Sequence, residues 1–223
     1  MLTVHHLENS RSQRILWLLE ELGVEYEIKH YARDPKTQLA PDSLREVHPL
    51  GRSPVITDGD QTIAESGVII DYLISRYGPE LRPDPADEAY FDYQYWLHYA
   101  EGSLMPLLLL KLVFDRISKP PMPLILRPAA ALIALGMRKS FIGPRLKQNF
   151  DYIEGVLADR EWLVGDRLRG ADIQMSFPLE AAASRGDVLE GRPAIAAFVK
   201  RVHARPAYLA ALEKGGPYEY GPA

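Results

Sequence analysis

The chain has 223 residues and no cysteine. That excludes a structural disulfide, a thiolate-held metal and any disulfide exchange performed by the protein itself. The six histidines show no ligand spacing. His5 and His6 adjoin in a strand-like stretch that sends successive side chains to opposite faces, a poor chelate, so no metal is expected. Basic runs are also lacking: 26 Lys and Arg stand against 30 Asp and Glu, a net charge of −4, and no nucleic-acid partner is expected. The start, Met-Leu-Thr-Val-His-His, has neither the basic block nor the long apolar block of a secretory signal. We expect a cytoplasmic protein.

What is present is ample core material, 47% hydrophobic against 25% charged, enough for a large domain or two small ones. Leu2 to Leu7 is a strand candidate. Ile15, Leu18, Leu19 and Leu22 then form a helical stripe that Gly23 ends. Tyr26 to His30 alternates as the next strand. A Pro-rich linker spans 78–86, and from 87 onward every pattern is helical. Helices are expected over 87–118, with a kink at Pro106, and over 145–159, 172–185, 193–204 and 206–213.

The most informative stretch runs from Leu50 to Leu73. Val55-Ile56-Thr57 and Gln61 to Ala64 flank Asp58-Gly59, a strong hairpin dipeptide. The period then changes to a helical one, with Val68, Ile69, Tyr72 and Leu73 on one face and Glu65-Ser66 at its start. A helix start can hold a carboxylate on its unpaired N–H groups. Equally, Glu65 or Ser66 could serve only as a cap.

Pro54 before a hairpin, with Glu65-Ser66 opening the next helix, resembles the glutathione site of the cytosolic glutathione transferases. Ser10-Arg-Ser-Gln-Arg-Ile-Leu-Trp-Leu-Leu-Glu-Glu-Leu22 resembles their theta-like bacterial and fungal branch. The resemblance implies an α/β thioredoxin-like N-terminal domain (1–77) and an all-α C-terminal domain (87–223) lining a hydrophobic substrate site. It also implies a homodimer. The expected activity is glutathione conjugation to hydrophobic electrophiles, with glutathione-dependent peroxidase activity a variant on the same site; a non-catalytic adaptor or chaperone of the same fold is the alternative.

By that resemblance Ser10 is the catalytic hydroxyl at the glutathione sulfur, with Asn9 as second choice. Pro54 is cis, Val55 pairs with the cysteinyl part, Glu65 and Ser66 hold the γ-glutamyl end, and Arg52 reaches the glycyl carboxylate. Ser53 is counted with the glutathione-binding residues, although Val or Ile is common at its position. Glu101 of a partner subunit approaches the glutathione amino group. Tyr95, Tyr99 and Ser103, spaced i, i+4, i+8, look into the cleft, or else are core. Ser10 and Ser12 could alternatively cap the first helix.

Two features depart from pattern. Arg169 stands where the family's capping box carries Ser or Thr, and a guanidinium cannot accept helix N–H bonds. The segment 120–144 is apolar, but Pro128 to Met137 is far short of the ~20 residues that cross a membrane. We expect an extra packed helix there; the functional alternatives are an apolar lid over the substrate or a membrane-surface contact, and membrane contact is not the favoured one.

Overall fold

The computed structural model describes residues 1–184 and 190–222. Strand β1 (Leu2–Leu7) is central. It pairs in parallel with β2 (Glu27–Tyr31) and antiparallel with β3 (Val55–Asp58), which pairs with β4 (Gln61–Ala64), giving the order β2-β1-β3-β4. The two-residue turn is Gly59-Asp60, one position on from the dipeptide singled out in the sequence, since Asp58 pairs with Gln61; Gly59 takes φ 57°. Between the strands runs α1 (Gln13–Leu22), ended by Gly23 at φ 62°, a left-handed conformation that costs glycine little. Helix α2 (Ser66–Tyr77) follows the hairpin. This is the thioredoxin-like half.

The second half is helical: α3 (Ala89–Tyr99), α4 (Met105–Arg116), α5 (Arg127–Met137), α6 (Gly143–Leu157), α7 (Gly170–Ala183), α8 (Pro193–His203) and α9 (Pro206–Gly215). Helices α6 and α7 begin and end about two residues earlier than their patterns suggested; Arg185, the expected end of α7, lies outside the described residues. One continuous core joins both halves. Every residue of α1 from Gln13 to Leu19 is buried, because α2 and the sheet lie on one side and α7 and α9 on the other. Helix α7 is buried from Gly170 to Ala182. A Cβ at Gly170 would lie 2.4 Å from Ile74 Cδ1 and 2.9 Å from the Tyr93 hydroxyl, so glycine lets α7 start flush against α2 and α3.

Three expectations change. The helix over 87–118 is interrupted by a π turn, Ala100–Leu104. Pro106 in the first turn of α4 has no N–H for the carbonyl four residues back, and the wider turn just ahead absorbs the mismatch. By length and composition the 28-residue run Ala89–Arg116 could cross a bilayer, but its buried face, including Tyr93, Leu97 and Leu104, belongs to the common core. The segment 120–144 is no core helix: on α5 only Ala130 and Ala134 are buried. At the start of α7, Asp172 accepts the N–H of Arg169 and of Leu163, both at 2.8 Å. The Arg169 guanidinium supplies no cap; it donates instead to the Glu80 carbonyl at 2.6 Å, tying α7 to the linker.

Candidate functional site

Two adjoining cavities meet where β1 gives way to α1 and where the chain enters β3. The smaller, 90 Å³, is lined by Arg11, Arg52, Ser53, Pro54, Glu65, Ser66 and Glu101, among others. The larger, 580 Å³, shares Arg11, Arg52 and Ser53 and adds Asn9 and Ser10 on one side, Leu108, Leu112 and Phe177 on the other, and Tyr220 from the C-terminal tail. A hollow of 660 Å³ beside Gly23, Glu25 and Lys214 holds none of these groups.

The Ser53–Pro54 bond is cis, and the Ser53 hydroxyl donates to the His5 carbonyl at 3.0 Å. Val55, expected to pair with a peptide ligand, has no open edge. It is buried and in register with His5 on one flank and Ala64 on the other. Ser53, one residue before the proline, lies in both cavities instead.

Glu65 sits at φ 69°, an uncommon conformation for a non-glycine residue and one that collects at ligand-binding positions. Its side chain does not cap α2. Among the described residues the Ser66 hydroxyl has no hydrogen-bond partner, although Ser66 is buried. The first-turn N–H groups of a 12-residue helix therefore face the small cavity without a side-chain cap, favourable ground for a carboxylate.

Ser10 is buried at the floor of the larger cavity. Its Oγ lies 2.8 Å from Ser12 Oγ and accepts the Ser12 N–H at 3.2 Å. Ser12 Oγ lies 2.9 Å from His6 Nδ1. Ser12 at the N-cap of α1 makes no cap bond with its side chain, whereas Ser10, by accepting the Ser12 N–H, does cap the approach to the helix. Burial first, and then the neighbouring His30, lower the His6 pKa to about 4, against the opposing bond to the Gly215 carbonyl. His6 is thus neutral at pH 7. Ser12 Oγ has two acceptors within reach for its single proton, His6 Nδ1 and the Leu7 carbonyl at 3.3 Å. With the Ser12 proton on either of those acceptors, the contact between the serines is a donation from Ser10 to Ser12.

Asn9, at φ 49°, is committed elsewhere. Its Oδ1 accepts the Glu219 N–H at 2.9 Å, and its Nδ2 donates to Glu219 Oε1 at 3.3 Å, which pins the C-terminal tail over the cavity. Arg52 is exposed between the two cavities. Glu101, expected to act from a partner subunit, lines the cavity of its own chain. Arg11 holds it at 3.2 Å, as does the fully buried Arg14, whose other donor reaches the Gln174 carbonyl. Burial lowers the Arg14 pKa and Glu101 opposes that.

Tyr95, Tyr99 and Ser103 line neither cavity. Tyr95 and Tyr99 pack against Trp96 and Tyr152 of α6, and Tyr99 donates to Asn149. Their spacing assumes a straight helix; the π turn re-aims the chain, so Met105, Leu108 and Leu112 face the cavity. Phe177, Tyr220 and Arg11 were not anticipated. Both Arg11 and Arg14 stack over Phe177, at 5.6 and 5.7 Å, a long-range arrangement with no local signal. Among the described residues no cluster of three potential metal ligands occurs.

The family model for the glutathione S-transferase N-terminal domain matches residues 1–75, and that for the C-terminal domain matches 143–206. The chain is 38% identical over 217 residues to glutathione S-transferase 3 of Schizosaccharomyces pombe, covering 96% of this chain and 88% of that protein. It is 36% identical to glutathione S-transferase 1 of Saccharomyces cerevisiae, covering 96% and 95%. Among solved structures, a glutathione S-transferase from Actinobacillus pleuropneumoniae superposes with a TM-score of 0.79 at 33% identity, covering 98% of this chain and 94% of that one. A sphingomonad glutathione S-transferase complexed with glutathione, at 19% identity and a TM-score of 0.73, shares the fold.

Proposed function

The chain belongs to the glutathione S-transferase family, and from that premise we propose that Ser10 stabilises the thiolate of bound glutathione for attack on a hydrophobic electrophile. Glutathione transferase activity follows from the relatives; the residue roles are our reading. One observation carries it. The Ser10 hydroxyl is buried on the cavity floor between an uncapped helix start and an apolar wall, and its proton is held only by another serine.

The γ-glutamyl carboxylate sits at Ser66 and the α2 N–H groups, and Glu65 and Glu101 face the amino group. The Ser53 backbone, in place of Val55, takes the cysteinyl part. Arg52 reaches the glycyl end. A thiol with a pKa near 8.5 is only a few per cent ionised at pH 7. Ser10 gives up its neutral bond to Ser12 profitably only for a charged acceptor, because charge-assisted bonds are about twice as strong. The hydroxyl therefore selects thiolate over thiol. His6 does not store the proton; its Nδ1 orients Ser12, and Ser12 keeps Ser10 facing inward until the sulfur arrives. The electrophile lies against Leu108, Leu112, Phe177 and Tyr220. This serine-based site supports placement in the theta-like branch.

Titrating the ultraviolet thiolate band of bound glutathione against pH tests the assignment. In Ser10→Ala the band should move to higher pH. An unshifted band would remove Ser10 from the chemistry. A homodimer and a cytoplasmic location remain part of the same reading. The half-exposed Tyr95 and Tyr152 support an interface on that face, and sedimentation of the wild-type chain checks it.

A further inference from the structure

Helix α5 carries its chemistry reversed. A surface helix ordinarily turns polar residues to water. Here the small Ala130 and Ala134 face inward, while Leu132, 70% exposed, points to the opposite side. Ile133 and Leu135 are exposed beside it, and the preceding turn (Leu124–Leu126) adds Leu124 and Ile125 at 75% and 87% exposure. From Pro128 to Met137 no side chain is polar. Contiguous apolar surface of this kind marks an interaction site.

The charge carried within the segment has one sign, with Asp115 of α4 paired to its Arg138. From Arg116 to Phe150 the chain carries seven of its 26 lysines and arginines and none of its 30 acidic residues, although the whole chain is net negative. Lys119 and Lys139 are exposed and, among the described residues, have no acidic partner.

We propose that this face docks on the surface of an anionic lipid bilayer. Helix α5 lies in the interfacial plane, Ile125 and Leu132 enter the acyl boundary, and the flanking lysines meet headgroup phosphates. A membrane-surface contact is the less favoured reading of this segment from sequence. Spanning is excluded by composition: the helix runs on through a π turn (Arg138–Ile142) into α6, but its uncharged stretch ends at Met137, far short of the ~20 apolar residues a span needs. A second copy fits less well, since an isologous pairing lays this basic patch against itself, and Asp115 beside it is already taken by Lys111 and Arg138. Closure over the electrophile is not the role of these side chains, because none of the exposed leucines and isoleucines from Leu124 to Leu135 lines the larger cavity.

The test is flotation of the full chain with vesicles of phosphatidylcholine alone or mixed with phosphatidylglycerol. Binding should appear with the anionic vesicles and weaken with salt. The double variant Ile125→Glu/Leu132→Glu should bind at least roughly tenfold more weakly, and Lys119→Gln/Lys139→Gln roughly tenfold more weakly. Both should keep wild-type turnover in solution and wild-type melting, since all four side chains are exposed. No flotation with anionic vesicles overturns the proposal, as does binding that ignores the Ile125 and Leu132 changes. A drop in sedimentation mass of the glutamate variant without vesicles would assign the face to a second copy instead.

Discussion

The two walls of the cleft are built on different principles. The wall from the first half (Ser10, Arg52, Ser53, Glu65, Ser66) is polar, and its members sit at turns and helix starts where backbone geometry fixes them. The facing wall from α4, α7 and the tail is mostly apolar, made of Leu108, Leu112, Phe177 and Tyr220. Hydrogen bonds are directional, so the polar wall tolerates few arrangements. Apolar contact is not, and similar pockets arise from many side-chain sets. One wall thus defines a fixed cosubstrate, and the other leaves the electrophile open to variation.

The largest effect should come from beneath the polar wall. The folded chain keeps His6 neutral down to about pH 4, whereas the unfolded chain takes up that proton near 6.5. Between those values the unfolded state binds more protons, so stability rises with pH. The His6 share is complete above pH 6.5 and is lost as pH falls through 4, about 3 kcal/mol in all. Urea unfolding at pH 7, 5.5 and 4.5 should show this loss in wild type and spare it in His6→Asn, whose amide oxygen replaces the Nδ1 acceptor. Equal pH slopes in both proteins would remove His6 as the support of Ser12.

Next is Ser10→Ala. Losing one donor to the sulfur should lower turnover at neutral pH on the order of 10²-fold, with part of the rate recovered at higher pH. Steady-state kinetics should find the glutathione KM changed far less, because the rest of the polar wall still holds the peptide. A lower melting temperature with intact turnover would instead make Ser10 a purely structural hydroxyl.

Ser66→Ala should weaken glutathione binding by about 1–2 kcal/mol and leave bound-state turnover nearly unchanged. Titration calorimetry reads this directly; unaltered affinity would move the γ-glutamyl end away from α2. The smallest effect belongs to the apolar wall. Tyr220→Ala should raise KM for bulky electrophiles roughly threefold, a loss of partial ring burial, without moving the glutathione KM. If both KM values rise together, the division between the walls fails.

Much of the first wall was legible because it is local. Gly59 fixes the hairpin, the change of period after Ala64 marks the start of α2, and the spacing Ile15, Leu18, Leu19, Leu22 writes α1. The role given to Val55 was misplaced by two positions, since only the sheet order reveals that β3 has partners on both flanks. The second wall was not legible. Tyr95, Tyr99 and Ser103 presumed a straight helix, and one π turn sufficed to aim a different set of residues at the cavity. Tyr220 reaches the site only because Glu219 meets Asn9, 210 positions away, and no periodicity encodes that. Segment 120–144 was read by hydrophobicity alone, which says that a surface avoids water but not what covers it.

The buried Arg14 bears on modularity. Its guanidinium lies in the first half, yet its ion-pair partner Glu101 and the Gln174 carbonyl belong to the second. Cut the chain after α2, and Arg14 loses both acceptors while the face of α1 that α7 and α9 cover opens to water. Each large apolar side chain left exposed costs about 1.5–3 kcal/mol, a large part of the stability of a small domain. The thioredoxin-like half is therefore a unit of architecture but not of folding: expressed by itself, it should remain largely unstructured, and grafting it onto another scaffold would require rebuilding the underside of α1.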